Sequence, residues 1–266
     1  MSEYTKITRF TEEQLSKLDL ISKNKRLAKV QGTGVQFLPG YPDRFLQKVR
    51  SFINNIDKDI NIVEIGGGGL IYFLSLINEI NIARYLVVEP DITSTDYCQI
   101  INHYNLGETT KRYVEQKGII LNTSAESFFC DFTLNFTVDV LLCFRVVHFF
   151  SPEQFSKFMA QCHRLLNNGG HLIITAIGKT DYSNRFGSSI NELYQNSEPI
   201  AGQIYYRRFS NNETGRTIME DQNLKPNMLY FEQDYVKSIF SRTGFEILEG
   251  PLEATRIVDG YILTRI

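Results

Sequence analysis

The chain has 266 residues, 42% of them hydrophobic and 22% charged, with a formal net charge of −2. That length is enough to bury the core of one large α/β domain, or of such a domain carrying an insertion. The near balance of charge argues against nucleic acid or an anionic membrane as partner, and the longest apolar stretch, near 138–150, is interrupted by Asp139, Arg145 and His148 and is too short to span a bilayer.

The opening residues are polar and charged, without an apolar signal segment. The four cysteines form no C-x-x-C pair, which points to reduced thiols and a cytoplasmic location. Cys162 and His163 are adjacent rather than spaced as zinc ligands are, so no metal is expected. The densest basic run, residues 23–29, reads as a solvated helix face.

In chain order, Thr11-Glu12-Glu13-Gln14 is a capping box opening a helix through Leu15, Leu18 and Ile21. A glycine-punctuated loop over 31–40 follows, and Tyr41-Pro42-Asp43 starts a second helix, with proline suited to its first turn. Phe45, Val49, Phe52, Ile53 and Ile56 form its apolar stripe. Strands are then predicted near 60–65, 85–89, 118–122, 138–144 and 170–177, with helices near 70–80, 94–116 and 152–166. The last of these helices has Ser151 as cap, Pro152 at its first position, Gln154 completing a capping box, and Gly169-Gly170 as its stop. Such alternation implies a doubly wound, mostly parallel sheet.

Residues 178–231 break the rhythm with an aromatic-rich insertion. Residues 204–209 and 216–219 flank Asn211-Asn212-Glu213-Thr214-Gly215 and read as a hairpin. A helix over 232–242, stopped at Thr243-Gly244, and strands at 245–248 and 260–265 complete the chain. The organisation expected is an N-terminal helical extension (1–57), an α/β core (58–178), an insertion after the fifth strand that covers the substrate (179–231), and a C-terminal helix with the last two core strands (232–266).

The most informative segment is Glu64-Ile65-Gly66-Gly67-Gly68-Gly69-Leu70, where an apolar strand ends in a carboxylate and runs into four glycines before an amphipathic helix. Glycine here permits positive φ and lets a ligand approach bare backbone. In open α/β sheets that position binds nucleotide-like ligands. A second strand ends at Val87-Val88-Glu89-Pro90, placing an acid where it can reach a ribose. A dinucleotide fingerprint needs a third glycine at Ile71 or Tyr72, so a nicotinamide cofactor is disfavoured.

The segment does match Glu/Asp-x-Gly-x-Gly-x-Gly up to its last position, and here the chain resembles the class I S-adenosylmethionine-dependent methyltransferases. Val87–Pro90 is similar to the family's second strand with its ribose-binding acid. Leu121 to Phe128 resembles the segment that touches adenine, and Val138 to Phe149 the family's fourth strand and following loop. The likeness covers roughly 58–178 and resumes at about 230–266. It implies a seven-stranded sheet with an antiparallel last strand, and N-terminal helices that lid the cofactor. Ile65–Gly68 with Val87–Pro90 is also similar to the histamine N-methyltransferase branch, over too short a run to imply a substrate. Leu70 replaces the last glycine of the pattern. Ser124 stands where many members carry an adenine-binding aspartate, which passes that task to backbone near Ala125 or to Glu126.

The resemblance implies S-adenosylmethionine as cofactor, held by Glu64, Gly66, Gly67, Gly68, Glu89, Pro90, Ser124, Ala125, Glu126, Phe144 and Arg145. An ionised Glu89 can accept from both ribose hydroxyls, and Glu64 or carbonyls of the turn can receive the cofactor's ammonium. His148, just past the fourth strand, is the candidate general base, its pKa being naturally near neutrality; in the family the matching histidine is often a packing residue. Arg145 can bind a substrate carboxylate or pair with a neighbouring acid. Tyr41, Tyr182 and Phe186 are candidates for an aromatic cage around the methyl acceptor, or core packing. The expected activity is methyl transfer to nitrogen or oxygen of a small molecule. The alternatives are a degenerate cofactor-binding scaffold, suggested by Leu70 and Ser124, and a protein methyltransferase.

Overall fold

The computed structural model describes residues 44–67, 71–79, 81–90, 108–144, 146–147, 150, 152–176, 199–200, 204–208, 227–231, 233–255 and 258–266. The expected helix near 11–21, most of the helix near 94–116 and the segment 211–219 lie outside them. Lys48–Leu142 belong to one compact unit, and Asp43–Gln47 with Cys143–Ile266 to a second.

The first unit alternates as expected. Helix α1 (Arg44–Asn54) leads to β1 (Ile60–Ile65), α2 (Ile71–Leu76), β2 (Ile82–Val88), α3 (Glu108–Lys117), β3 (Gly118–Leu121), α4 (Ala125–Asp131) and β4 (Val138–Cys143). Strands β1, β2 and β3 pair in parallel, with Ile62 opposite Tyr85 and Tyr85 opposite Gly118. Every residue of β4 is buried, and so are five of the six in β1. Continuous apolar runs of this kind suit strands of a parallel sheet covered on both faces. The amino-terminal ends of β1 and β4 are tied by Asp139, which accepts from Lys58 Nζ at 2.7 Å and from the Asn61 amide at 2.9 Å.

The second unit holds α5 (Pro152–Leu165), β5 (Leu166–Ala176), α6 (Gln233–Arg242), β9 (Phe245–Thr255) and β10 (Val258–Arg265), together with a separate antiparallel sheet of β6 (Pro199–Ile200), β7 (Ile204–Arg208) and β8 (Asn227–Phe231). Helix α5 begins at Pro152, as the sequence predicts, and buries Phe155, Phe158, Met159 and Cys162 on one stripe. It stops at Leu165 rather than at the glycines. Leu166 is buried, and its carbonyl accepts from the Arg265 guanidinium at the end of β10. Asn167 and Asn168, weak helix formers, then continue as strand. Gly169 takes the left-handed turn (φ 68°) inside β5.

The large sheet has the order β3-β2-β1-β4-β5-β10-β9. It is seven-stranded and mostly parallel, with β10 antiparallel to both β5 and β9, which is the expected doubly wound architecture. Within the small sheet, β7 pairs antiparallel with β6 and with β8, and the expected partner 216–219 lies outside the described residues.

Candidate functional site

The carboxyl ends of β1, β2 and β3 bring the first group of predicted residues together. Gly66 follows β1 with φ 75°, a conformation that disfavours any side chain. Its amide donates to the Val88 carbonyl at 2.8 Å, which extends the β1–β2 ladder by one rung. Glu89 follows β2 directly, and its amide donates to the Leu121 carbonyl of β3 at 3.1 Å. The chain then turns through Asn122 and Thr123 to Ser124. Gly66, Glu89 and Ser124 therefore stand at the ends of three adjacent parallel strands, the place where open α/β sheets bind ligands.

Two carboxyl groups face this edge. Register puts Glu64, Tyr85 and Glu89 on one face of the sheet, because Ile62 pairs with Tyr85 and Glu64 with Val87. Glu64 is 1% exposed and Glu89 9%. The Tyr85 hydroxyl donates to Glu64 Oε2 at 2.7 Å. Burial pushes the Glu64 carboxyl up to about 8; the Tyr85 hydrogen bond opposes that rise, and the nearby Glu89 charge adds to it. Burial likewise drives the Tyr85 phenol well above its ordinary value, so the phenol remains a donor. Phe73 of α2 packs edge-on against the Tyr85 ring, with centroids 4.9 Å apart.

Ser124 is committed locally. Its hydroxyl accepts from the Ser127 amide at 3.1 Å and caps α4, a helix that the sequence reading did not include. Ala125 is half-buried, while Glu126 and Pro90 are exposed. Gly67 is buried. In the second unit, Phe144 follows β4 and is buried in a T-shaped contact with Phe45, centroids 5.7 Å apart, so its side chain is occupied in packing. Gly68, Arg145, His148, Tyr41, Tyr182 and Phe186 lie outside the described residues.

Tyr85 is the polar group of this face that the sequence reading passed over. Its signal was parity: Glu64 and Tyr85 sit in neighbouring strands at positions that face the same side once the strands pair in parallel. Among the described residues, no group of three His, Cys, Asp or Glu is placed to hold a metal ion, and no helix is long and apolar enough to cross a membrane.

Residues 67–174 match the family model of a methyltransferase domain, a span running from the glycine turn into β5. Solved structures of the same fold include the Burkholderia thailandensis 1,6-didemethyltoxoflavin-N1-methyltransferase, bound to 1,6-didemethyltoxoflavin and S-adenosylhomocysteine. It shares 10% identity over 99% of this chain and 93% of that chain, with a TM-score of 0.56. The magnesium protoporphyrin IX methyltransferase of Synechocystis, with bound S-adenosylmethionine, shares 9% over 97% and 100%, TM-score 0.54. A Methanosarcina mazei S-adenosylmethionine-dependent methyltransferase shares 16% over 86% and 99%, TM-score 0.52. At such identities the likeness is one of fold. No curated protein matches the chain in sequence. Strand order, glycine turn and matched segment together define the class I methyltransferase architecture. The fold is that of the class I S-adenosylmethionine-dependent methyltransferases, and the methyltransferase-domain match covers its segment from the glycine turn into β5.

Proposed function

We propose that the chain transfers a methyl group from S-adenosylmethionine to a nitrogen or oxygen of a small molecule. The observation that carries this reading is the convergence of the Gly66 turn, Glu64 and Glu89 at adjacent strand ends, with a bare backbone and two carboxyl groups on one face. S-adenosylmethionine, when bound, supplies an activated methyl, so the protein's task is to hold the acceptor in line and exclude water.

Each residue's part follows from its chemistry. Glu89 accepts from the ribose hydroxyls. Glu64 meets the ammonium of the methionine end, and Gly66, Gly67 and Gly68 offer backbone without side-chain collision. With the Ser124 hydroxyl used as a helix cap, adenine recognition falls to the main chain at Ala125, to Glu126, and to the segment after β4 around Phe144 and Arg145. His148 removes a proton from an acceptor that arrives protonated. Tyr41, Tyr182 and Phe186 cage the acceptor, with 179–231 as cover over the 58–178 core and 1–57 as lid. A small-molecule acceptor is favoured by the aromatic composition of that cover and by the small molecules named for the Burkholderia and Synechocystis structures. The buried cysteines Cys143 and Cys162 suit a cytoplasmic setting.

Titration calorimetry with S-adenosylmethionine and S-adenosylhomocysteine tests the cofactor half of the reading, and absence of heat with both would end it. A screen of pooled amines, phenols and carboxylic acids for transfer of isotopically labelled methyl tests the acceptor half. Label found only on protein substrates would replace the small-molecule reading.

A further inference from the structure

Glu64 lies in a dry environment for an acid expected to meet a cation. It sits in β1 two residues before the turn, 1% exposed, with apolar neighbours Val63 and Ile65 in its own strand. The ionisable groups acting on it come from β2: the Tyr85 hydroxyl at 2.7 Å and the carboxylate of Glu89. From α2, Phe73 presents an apolar edge to the Tyr85 ring, and Tyr72 acts on the Tyr85 phenol. From the other flank, β4 offers the buried apolar residues Val140, Leu141 and Leu142. Its one acid, Asp139, is turned to Lys58 and Asn61 at the opposite end of the sheet. A buried carboxyl in such surroundings ionises only when a donor or a cation compensates it.

Tyr85 is that donor, and it is itself fixed. Its ring is 0% exposed and held edge-on by Phe73. Phe73 in turn occupies the space above Gly118, where an added Cβ would come within 2.8 Å of its Cζ. The phenol cannot swing away without disturbing α2 and β3, so one oxygen of Glu64 is held in place.

Resting on the methyltransferase reading above, we propose that Tyr85 is a positioning residue for the cofactor's cationic end: its hydroxyl pins the Glu64 carboxyl beneath the glycine turn and stabilises the ionised form that the cation requires. Uptake of the cation then releases the Glu64 proton below about pH 8, and affinity rises with pH until the ligand's own α-ammonium begins to lose its proton. A tyrosine that only filled volume would leave this profile alone.

The test is the pH profile of S-adenosylhomocysteine and S-adenosylmethionine binding between pH 5.5 and 9.5 for the full chain, Y85F, E64Q and Y85F/E64Q. Phenylalanine keeps the ring and its contact with Phe73. Y85F is expected to move the midpoint of the affinity profile up by ~1 pH unit and to weaken binding several-fold at pH 7, since a hydrogen bond to a charged group is lost. E64Q is expected to remove the rise on the acidic side, and Y85F should have no further effect on the profile in that background. Carbon-13 NMR titration of the Glu64 carboxyl in the ligand-free protein gives a readout independent of binding, with the same upward shift expected in Y85F. A midpoint and a carboxyl titration unmoved by Y85F would overturn the role of Tyr85, even if melting temperature fell. Failure of the wild-type chain to bind either ligand at any pH would overturn the methyltransferase reading, and this proposal with it.

Discussion

The ring of Phe45, in the first turn of α1, occupies the space that a side chain at Gly260 of β10 would need. Gly260 is not among the positive-φ glycines, so space rather than backbone conformation requires glycine there. The same ring meets Phe144 at the end of β4. Gly260→Ala should therefore lower stability by ~1–3 kcal/mol through overpacking. Phe45→Ala should cost ~3–5 kcal/mol by opening a cavity. The double variant should be less destabilised than the sum, because each change relieves part of the other's fault. Chemical denaturation of the four proteins measures the coupling, and strict additivity would refute the contact.

Asp139 offers a second test at the far end of the strands. Its carboxylate is nearly buried and serves both Lys58 and the Asn61 amide. Asp139→Ala should cost ~2–3 kcal/mol, since it strips a buried backbone donor of its acceptor. Lys58→Ala should cost less than ~1 kcal/mol, because its side chain is 59% exposed and solvent screens the pair. Equal losses from the two variants would show that the ion pair, not the backbone bond, matters.

Glu64 predicts a pH dependence of folding with a definite sign. Its carboxyl rises from an ordinary 4.5 to about 8 in the folded chain. Between those values the native protein holds a proton that the unfolded chain has lost. Stability from this group is thus intact below pH 4.5 and declines as pH rises toward 8. At 1.36 kcal/mol per pH unit the decline is ~5 kcal/mol. Glu64→Gln, neutral throughout, should gain on the wild type steadily from pH 5 to pH 8.5 in thermal melts. A constant difference between the two across that range would show that Glu64 is ionised in the fold.

Glu89 is the side chain on which the ribose assignment rests. Removing an acceptor of two hydroxyl hydrogen bonds should cost ~2–4 kcal/mol of binding. Glu89→Ala is thus expected to weaken S-adenosylhomocysteine at least tenfold in calorimetry. An unchanged affinity would take Glu89 out of the site.

Strand positions and the glycine turn were legible in the residues because they depend on local signals. Apolar runs mark β1 and β4, the glycines after Ile65 mark the turn, and Pro152 marks a helix start. Boundaries that depend on distant partners were not legible. Leu166 becomes strand where the Arg265 guanidinium, from the end of β10, reaches its carbonyl. At the site, Gly66 and Glu89 could be read as single residues with recognisable chemistry. Tyr85 could not, since its part appears only once β1 and β2 are in register. The Ser124 cap was hidden for a related reason: with the segment read as ligand-binding loop, its hydroxyl had no helix to serve.

Gly118 extends the reach of the glycine turn beyond its own neighbourhood. An added methyl there would press on Phe73 and on the Val114 carbonyl, and Phe73 belongs to the helix that opens directly after the turn. Strain introduced at the margin of the sheet would thus be passed through the edge-on Phe73–Tyr85 contact to the hydroxyl that meets Glu64. A substitution at position 118 would bear on the Glu64–Tyr85 pair without changing Glu64, Gly66 or Glu89 themselves.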